Sequence, residues 1–287
     1  MADAPRTRRR GDGSPSARTL LLTVLGEYVR YAGAERVWSR AVVGALGDCG
    51  VGDAATRRAV TRLVQEGWLR TESVGRWTRL ALEPRLVALL TAWTHRLERA
   101  VEETPWHGEW QQLLLRVPAD AWRDRPLVEG QLAFEGFGSL GQGVWIAADA
   151  GGVAAVRELL REQGLDRYAV WLRSRAADSA TDSAAAQGEL VSRAWDLGAV
   201  RAAHEEFLTR FRGAGSSPMS PEEAFVLRTR LVHAWRATFE RDPRLPGALL
   251  PPDWPGFTAT RLFVDTWRAV REPADRRWAH LAEDPRG

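Results

Sequence analysis

Arg57, Arg58, Thr61, Arg62 and Gln65 share one face of a single predicted helix, and side chains of these types at this spacing can grip a polyanion. A wheel of ~3.6 residues per turn drawn over Asp53 to Glu66 gathers them on one side, with Ala55, Ala59, Val60, Leu63 and Val64 opposite. A guanidinium is a planar fork of donors. It matches a phosphate, or the O6 and N7 edge of guanine, with two hydrogen bonds at once. The same pattern also describes a merely solvated face. Every Lys or Arg position in this chain is arginine, which inflates arginine counts everywhere. The neighbouring elements must therefore supply the discrimination.

Those elements fall in an informative order. Asp53 is the expected N-cap of the helix and Gly67 ends it. Trp68 to Ser73 and Arg76 to Leu82 read as two strands about a Val74-Gly75 turn. This puts Arg76 at a hairpin tip and Arg79 on the returning strand. Upstream, Ser16 to Arg30 carries Leu21, Val24, Leu25 and Tyr28 at helical spacing. Trp38 to Leu46 forms a second helix with Ser39 as cap, and Gly47 to Gly52 supplies a sharp turn. Helix, helix, turn, helix, hairpin is the order of a winged helix-turn-helix. In that arrangement the second helix braces the third, whose polar face enters the major groove of double-stranded DNA. Arg57, Arg58, Thr61 and Arg62 are then the expected groove-facing residues. Arg76 and Arg79 reach for phosphate or the minor groove, while Arg18 and Arg40, near helix starts, are phosphate contacts or solvated.

Charge is distributed to match. Residues 1–82 hold fourteen Arg against eight Asp and Glu, a balance of +6, while residues 83–287 hold twenty-six Arg against twenty-nine acids, a balance of −3. A basic unit on a slightly acidic body is the footprint of a DNA reader attached to something else. Arg6-Thr7-Arg8-Arg9-Arg10, flanked by Gly, Ser and Pro, reads as a disordered basic arm over residues 1–15. Such an arm either adds phosphate or minor-groove contacts or only solubilises.

The rest of the chain sets bounds. A length of 287 residues with 45% hydrophobic residues suits two or three folded domains. No apolar run approaches the ~20 residues of a membrane helix, and no signal peptide follows the basic start. The expectation is a cytoplasmic protein without membrane contact. The single cysteine, Cys49, excludes an intrachain disulfide and offers no C-x-x-C metal spacing. It is the small buried side chain of a turn, with a redox sensor as the minor alternative.

Glu83 to Thr104 continues as an amphipathic helix carrying Leu86, Leu89, Leu90, Trp93 and Leu97, so residues 16–104 form the winged unit with its connector. From 105 to 180 the pattern is strand (to Val117), helix (Ala121 to Phe134), strand (Gly143 to Ala147), helix (Val153 to Gln163), strand (Tyr168 to Arg173). This indicates a small α+β domain of ferredoxin-like type. Glu135 to Gly143 is glycine-rich but lacks the Gly-Lys-Ser/Thr of a phosphate loop, so it is expected to be a tight turn. Ala176 to Gln187 reads as a linker. Residues 181–287 read as a helical domain, with helices over Gly188 to Phe211, Pro221 to Phe239 and Phe257 to Leu281. The fold class is α+β multidomain, with catalytic and metal residues both expected to be absent.

Several motifs then agree in order and spacing. Ser16 to Glu27, Glu66-Gly67-Trp68-Leu69 and Gly75-Arg76 resemble the PaaX family of transcriptional repressors. So do Gly136-Phe137-Gly138-Ser139-Leu140 with Gly143-Val144-Trp145, Arg193 to Leu197, His233 to Arg236, and Leu249 to Gly256. The resemblance covers nearly the whole chain from residue 16. It implies a winged helix-turn-helix, a central domain similar to the Cas2 fold and a helical C-terminal domain. It also implies a homodimer that represses a phenylacetate-catabolism operon from an inverted repeat and is released by an acyl-coenzyme A effector such as phenylacetyl-coenzyme A. Such a thioester needs Arg for its phosphates and an apolar pocket for its acyl end. Trp195, His233, Trp235, Arg236 and Trp254 are the candidate effector residues, although tryptophans at helical spacing also serve simply as core.

Two other classes stay open. A Cas2-like domain raises a metal-dependent nuclease, which needs converging carboxylates. Gln111 to Val117 has none, and Asp120 lies beyond Pro118. A winged unit can also serve as a protein-interaction module without DNA, against which the +6 balance argues.

Overall fold

The computed structural model describes residues 15–99, 106–175 and 183–286, without the side chains of 95–99 and 183–185. The basic arm at Arg6 to Arg10, the end of the connector helix and residues 176–182 of the Ala/Ser segment lie outside them. The fold is mixed α+β, with ten α-helices and two small antiparallel sheets among the described residues. It divides into two compact units. The first comprises Met1–Val101, Phe207–Ala237 and Ala259–Gly287, and the second Glu102–Glu206 and Thr238–Thr258.

The first unit opens with α1 (Ala17–Val24), capped by Ser16, whose Oγ accepts from the Thr19 amide at 3.2 Å. The helix continues as a π-helical segment, Leu25–Arg30. Strand β1 (Arg36–Trp38), α2 (Ser39–Asp48) and α3 (Asp53–Gln65) follow. The hairpin is β2 (Leu69–Val74) with β3 (Trp77–Leu82), and α4 (Pro84–Arg99) leaves it. Leu21, Leu25, Leu46, Leu63, Leu69 and Leu80 are fully buried in one core beneath the three helices and the sheet. Each such leucine stabilises the unit by roughly 1.5–3 kcal/mol of apolar transfer. The sheet has three strands in the order β1-β3-β2, because Arg36–Trp38 pairs with β3 on the side away from β2. Three residues are too few to show a period, and the sequence reading passes over that strand.

Both expected caps move by one residue. Gly52, not Asp53, stands at the N-cap of α3, and Trp38, not Ser39, at that of α2. Asp53 is instead in the first turn, where a carboxylate still meets the positive end of the helix dipole. The turn is Gly75-Arg76 rather than Val74-Gly75, since Val74 pairs with Trp77. Gly75 has φ +60° and Arg76 does not share it. Glycine at the first of two loop positions is the pattern of the type II′ hairpin.

In the second unit, β4 (Trp110–Leu115), α5 (Arg125–Phe134), β5 (Gly138–Gly141), β6 (Val144–Ala147), α6 (Val153–Glu162) and β7 (Ala169–Ser174) form a four-stranded sheet. Its order is β5-β6-β4-β7, every neighbouring pair antiparallel. Leu113, Leu115, Val128, Leu132, Phe137, Val156 and Leu160 fill its core. Strand β5 occupies the glycine-rich stretch expected to be only a turn. Gly138 pairs with Ile146 there, and a Cβ at Gly138 would run into the Trp195 ring. Close packing selects a glycine strand that no β-propensity would reveal.

Helix α5 begins at Arg125 rather than near Ala121. Asp124 accepts from the Leu127 amide at 3.0 Å, and Ala119–Ala121 is a separate single turn. Helix α7 (Ser183–Ala194) starts inside the segment read as a linker. The long predicted helix from Gly188 breaks at Trp195-Asp196, where Asp196 accepts from the Ala199 amide at 3.0 Å to start α8 (Leu197–Phe211). Helices α9 (Pro221–Phe239) and α10 (Pro255–Ala282) complete the chain.

Candidate nucleic-acid interface

Helix α3 buries Thr56, Ala59 and Leu63 and exposes Arg57, Arg58, Thr61, Arg62 and Gln65. The burial is periodic at three and four residues, so the polar residues stay on one continuous face. Among the described residues no carboxylate lies within ion-pair range of Arg57 or Arg58. Arg62 donates from Nε to Glu66 at 3.1 Å yet stays 71% exposed on its side chain, so it can still turn outward.

Two contacts hold this helix in place. Arg18 of α1 forks onto Glu66, with Nη1 and Nη2 each 2.6 Å from a carboxylate oxygen. The Arg18 hydrogen bond, with help from Arg62, holds the Glu66 carboxyl below the usual range. Arg18 is thereby committed internally. At the other end, the turn from α2 is closed by the Val51 amide bonding the Leu46 carbonyl at 2.9 Å.

Arg76 sits exposed at the hairpin tip, its guanidinium 5.0 Å from the Trp77 ring centre. Arg79 is placed differently. It stands opposite Glu72 across the hairpin and bonds it from Nε at 2.9 Å, while its guanidinium lies 5.8 Å from the Trp38 ring. Glu72 also receives Arg70 at 2.6 Å and Arg36 at 3.3 Å. Burial alone would push its pKa up, but the hydrogen bonds from Arg79, Arg36 and Arg70 outweigh this and hold it down. The hub follows from the strand register. A turn placed at Val74-Gly75 shifts each cross-strand partner by two residues and sets Glu72 against Trp77 instead of Arg79, which is why sequence reasoning misses it. Arg40 donates to the Glu283 carbonyl at 2.9 Å.

The candidate effector residues fall in different units. Trp195 and Trp254 belong to the second, and His233, Trp235 and Arg236 to the first. Trp195 is half-buried and lines an open cavity of about 1220 Å³ with Trp106, His107, Arg175 and Arg193. Trp254 is buried edge-on to His204, whose Nε2 lies 2.9 Å from Asp242. Trp235 is core, stacked on Phe263 at 4.9 Å and tilted against Phe207. His233 Nδ1 lies 3.2 Å from the Thr23 hydroxyl, and Arg236 stacks 4.0 Å from the Trp93 ring centre.

Among the described residues no three His, Cys, Asp or Glu side chains are grouped to hold a metal ion. No helix among them is long and apolar enough to cross a membrane. Burial pushes the Cys49 thiol up to about 11.

Comparison with known proteins covers most of the chain. Residues 16–83 match the model of the PaaX-like protein, residues 103–186 that of the PaaX protein central Cas2-like domain, and residues 195–280 that of the PaaX-like protein C-terminal domain. The transcriptional repressor PaaX of Escherichia coli (strain K12) is 29% identical over 266 residues, which is 90% of this chain and 82% of that protein. An uncharacterized protein from Mycobacterium tuberculosis, 24% identical, shares the fold with a TM-score of 0.56 over 91% of this chain and 98% of its own. With all three models matched in order along its length, the chain belongs to the PaaX family.

Proposed function

We propose that this protein is a DNA-binding transcriptional regulator, and specifically a repressor of a catabolic operon. Its reader is α3 with the β2–β3 hairpin, a winged helix-turn-helix. The observation that carries this is the continuous exposed face of Arg57, Arg58, Thr61 and Arg62 beside a protruding Arg76. Arg57 and Arg58 have both their charge and their hydrogen-bond forks available for the major groove. Arg79, anchored on Glu72, shapes the hairpin and adds charge to it.

The E. coli relative is named a transcriptional repressor, and the reading for this chain follows that similarity. The second unit's order β5-β6-β4-β7, with a helix after the first and third strands, supports a ferredoxin-like domain over residues 105–180. The protein acts as a homodimer in the cytoplasm on an inverted repeat, without catalysis. An acyl-coenzyme A effector fits the 1220 Å³ cavity best among the candidate positions, because Trp195 offers an apolar wall and Arg175 and Arg193 offer phosphate partners.

The test is a gel shift with the intergenic DNA beside the gene, with and without phenylacetyl-coenzyme A. Retarded duplex that the thioester releases is the expected result. Absence of any sequence-selective shift would contradict the reading.

A further inference from the structure

The first unit contains a cavity of about 310 Å³. Tyr31, Trp93, Phe263 and Trp267 stand around it, and Tyr31 meets Trp267 edge-on with ring centres 6.0 Å apart. Aromatic walls favour flat apolar guests, because stacked and edge-on contacts add to burial. The volume is near the lower end for small-molecule sites. It accommodates one or two fused rings and excludes a nucleotide.

One wall is polar in a specific way. Glu27 lines the cavity with a side chain only 8% exposed. Its Oε1 accepts twice, from Arg228 Nε at 2.8 Å and from Trp267 Nε1 at 2.7 Å. Among the described residues nothing donates to Oε2, and that oxygen is not sealed from solvent. A carboxylate oxygen has lone pairs for about two donors. A nearly buried one that receives none is rare and calls for a ligand that brings a donor. Arg228 already meets the charge of Glu27, and Asp275, which shares Arg228, is half exposed and also paired with Arg271 at 3.7 Å. What suits Oε2 is therefore a neutral N–H or O–H group. A ligand ending in a carboxylate or an ether would set its own lone pairs against those of Glu27.

The backbone that carries this acid is unusual. Glu27 and its neighbour Gly26, which also lines the cavity, belong to the π-helical segment Leu25–Arg30. There the Tyr31 amide bonds the Gly26 carbonyl at 2.9 Å, five residues back. Such turns are rare and recur at functional sites. Gly26 also keeps its wall open, since a Cβ there would stand 3.3 Å from Leu90.

We propose that this cavity binds a neutral aromatic molecule of one or two rings that carries an N–H or O–H group, in chemical class an indole or a phenol, with the donor on Glu27 Oε2. The site is separate from the cavity of the second unit considered for a thioester, and it stands whether or not α3 reads DNA.

Isothermal titration calorimetry of the full chain with indole and with 1-methylindole tests it. The two ring systems pack alike, and the first alone can donate. Indole should bind saturably, and 1-methylindole at least about tenfold more weakly, the loss expected of a hydrogen bond to a charged group. Glu27→Gln should erase that difference. The side-chain oxygen of the variant is held by Arg228 and Trp267, which leaves the amide nitrogen, itself a donor, toward the ligand. Thr94→Phe and Val264→Phe fill the cavity from α4 and from α10. Each should abolish indole binding while urea unfolding shows the protein still folded. No saturable binding of indole, equal binding of indole and 1-methylindole by wild type, or undiminished indole binding to the folded filled variants would overturn the site. A preference for indole that persists in Glu27→Gln would overturn the assignment of the donor to Glu27.

Discussion

Arg18 places both terminal guanidinium nitrogens 2.6 Å from the two carboxylate oxygens of Glu66, forty-eight residues away. This fork locks the first helix to the last turn of the helix that carries the arginine face. It keeps Arg57 and Arg58 presented on a rigid element rather than on a mobile one, and precise presentation is what distinguishes base reading from loose phosphate contact.

Removal of the fork should be felt through acidity. Glu66 has its carboxyl held down chiefly by Arg18. A depressed carboxylate contributes stability that is complete above the unfolded value, near 4.3, and is lost as pH falls through the folded value. Urea midpoints at pH 7 and pH 4 should therefore drop more for wild type than for Glu66→Gln. Because both side chains are partly exposed, the variant should lose at most about 1 kcal/mol at pH 7.

Arg58→Ala should reduce specific affinity by about 1–3 kcal/mol and relax base choice at one position. Binding to a panel of single-base operator variants checks this. Uniform weakening across the panel would make Arg58 a phosphate contact instead.

Arg228 is almost fully buried, with Nε on Glu27 at 2.8 Å and Nη1 on Asp275 at 2.5 Å. Arg228→Met leaves the buried Glu27 carboxylate without its cation and should cost about 3–5 kcal/mol. Adding Glu27→Gln should recover much of that, because the stranded charge is gone. Urea unfolding of both singles and the double closes the cycle.

Cys49 is buried and its thiol is raised to about 11, so almost no thiolate forms at neutral pH. Iodoacetamide should leave it unmodified until the protein unfolds, and mild peroxide should not alter DNA binding. Mass spectrometry of native and urea-treated samples distinguishes the two states.

The chemistry-bearing face was legible because helical periodicity is local: Leu63 buried and Arg57, Arg58 and Arg62 exposed follow from spacing alone. Pro221–Phe239 was likewise marked at both ends, by a proline at the start and an irregular proline-rich stretch beyond. What was hidden depends on distant partners. Strand β5 exists because Ile146 and Trp195 pack against its glycine, and β1 because β3 has a free edge. The Glu72 hub needed a hairpin register that one misplaced turn residue overturns. Trp235 shows the other limit: its neighbours in sequence look like a ligand box, whereas its ring is packed between Phe207 and Phe263.

Fluorescence anisotropy of the intergenic duplex, titrated with wild type and with the double variant Arg57→Ala/Arg58→Ala over a range of salt, tests the DNA-reading face most directly. Wild type should bind saturably, with a slope of log K against log salt near −7 for a dimer on ~8 phosphates. The double variant should bind at least about a hundredfold more weakly. Equal binding by the two proteins, or wild-type affinity no better for this duplex than for unrelated DNA, would contradict the assignment of α3 as the reading helix.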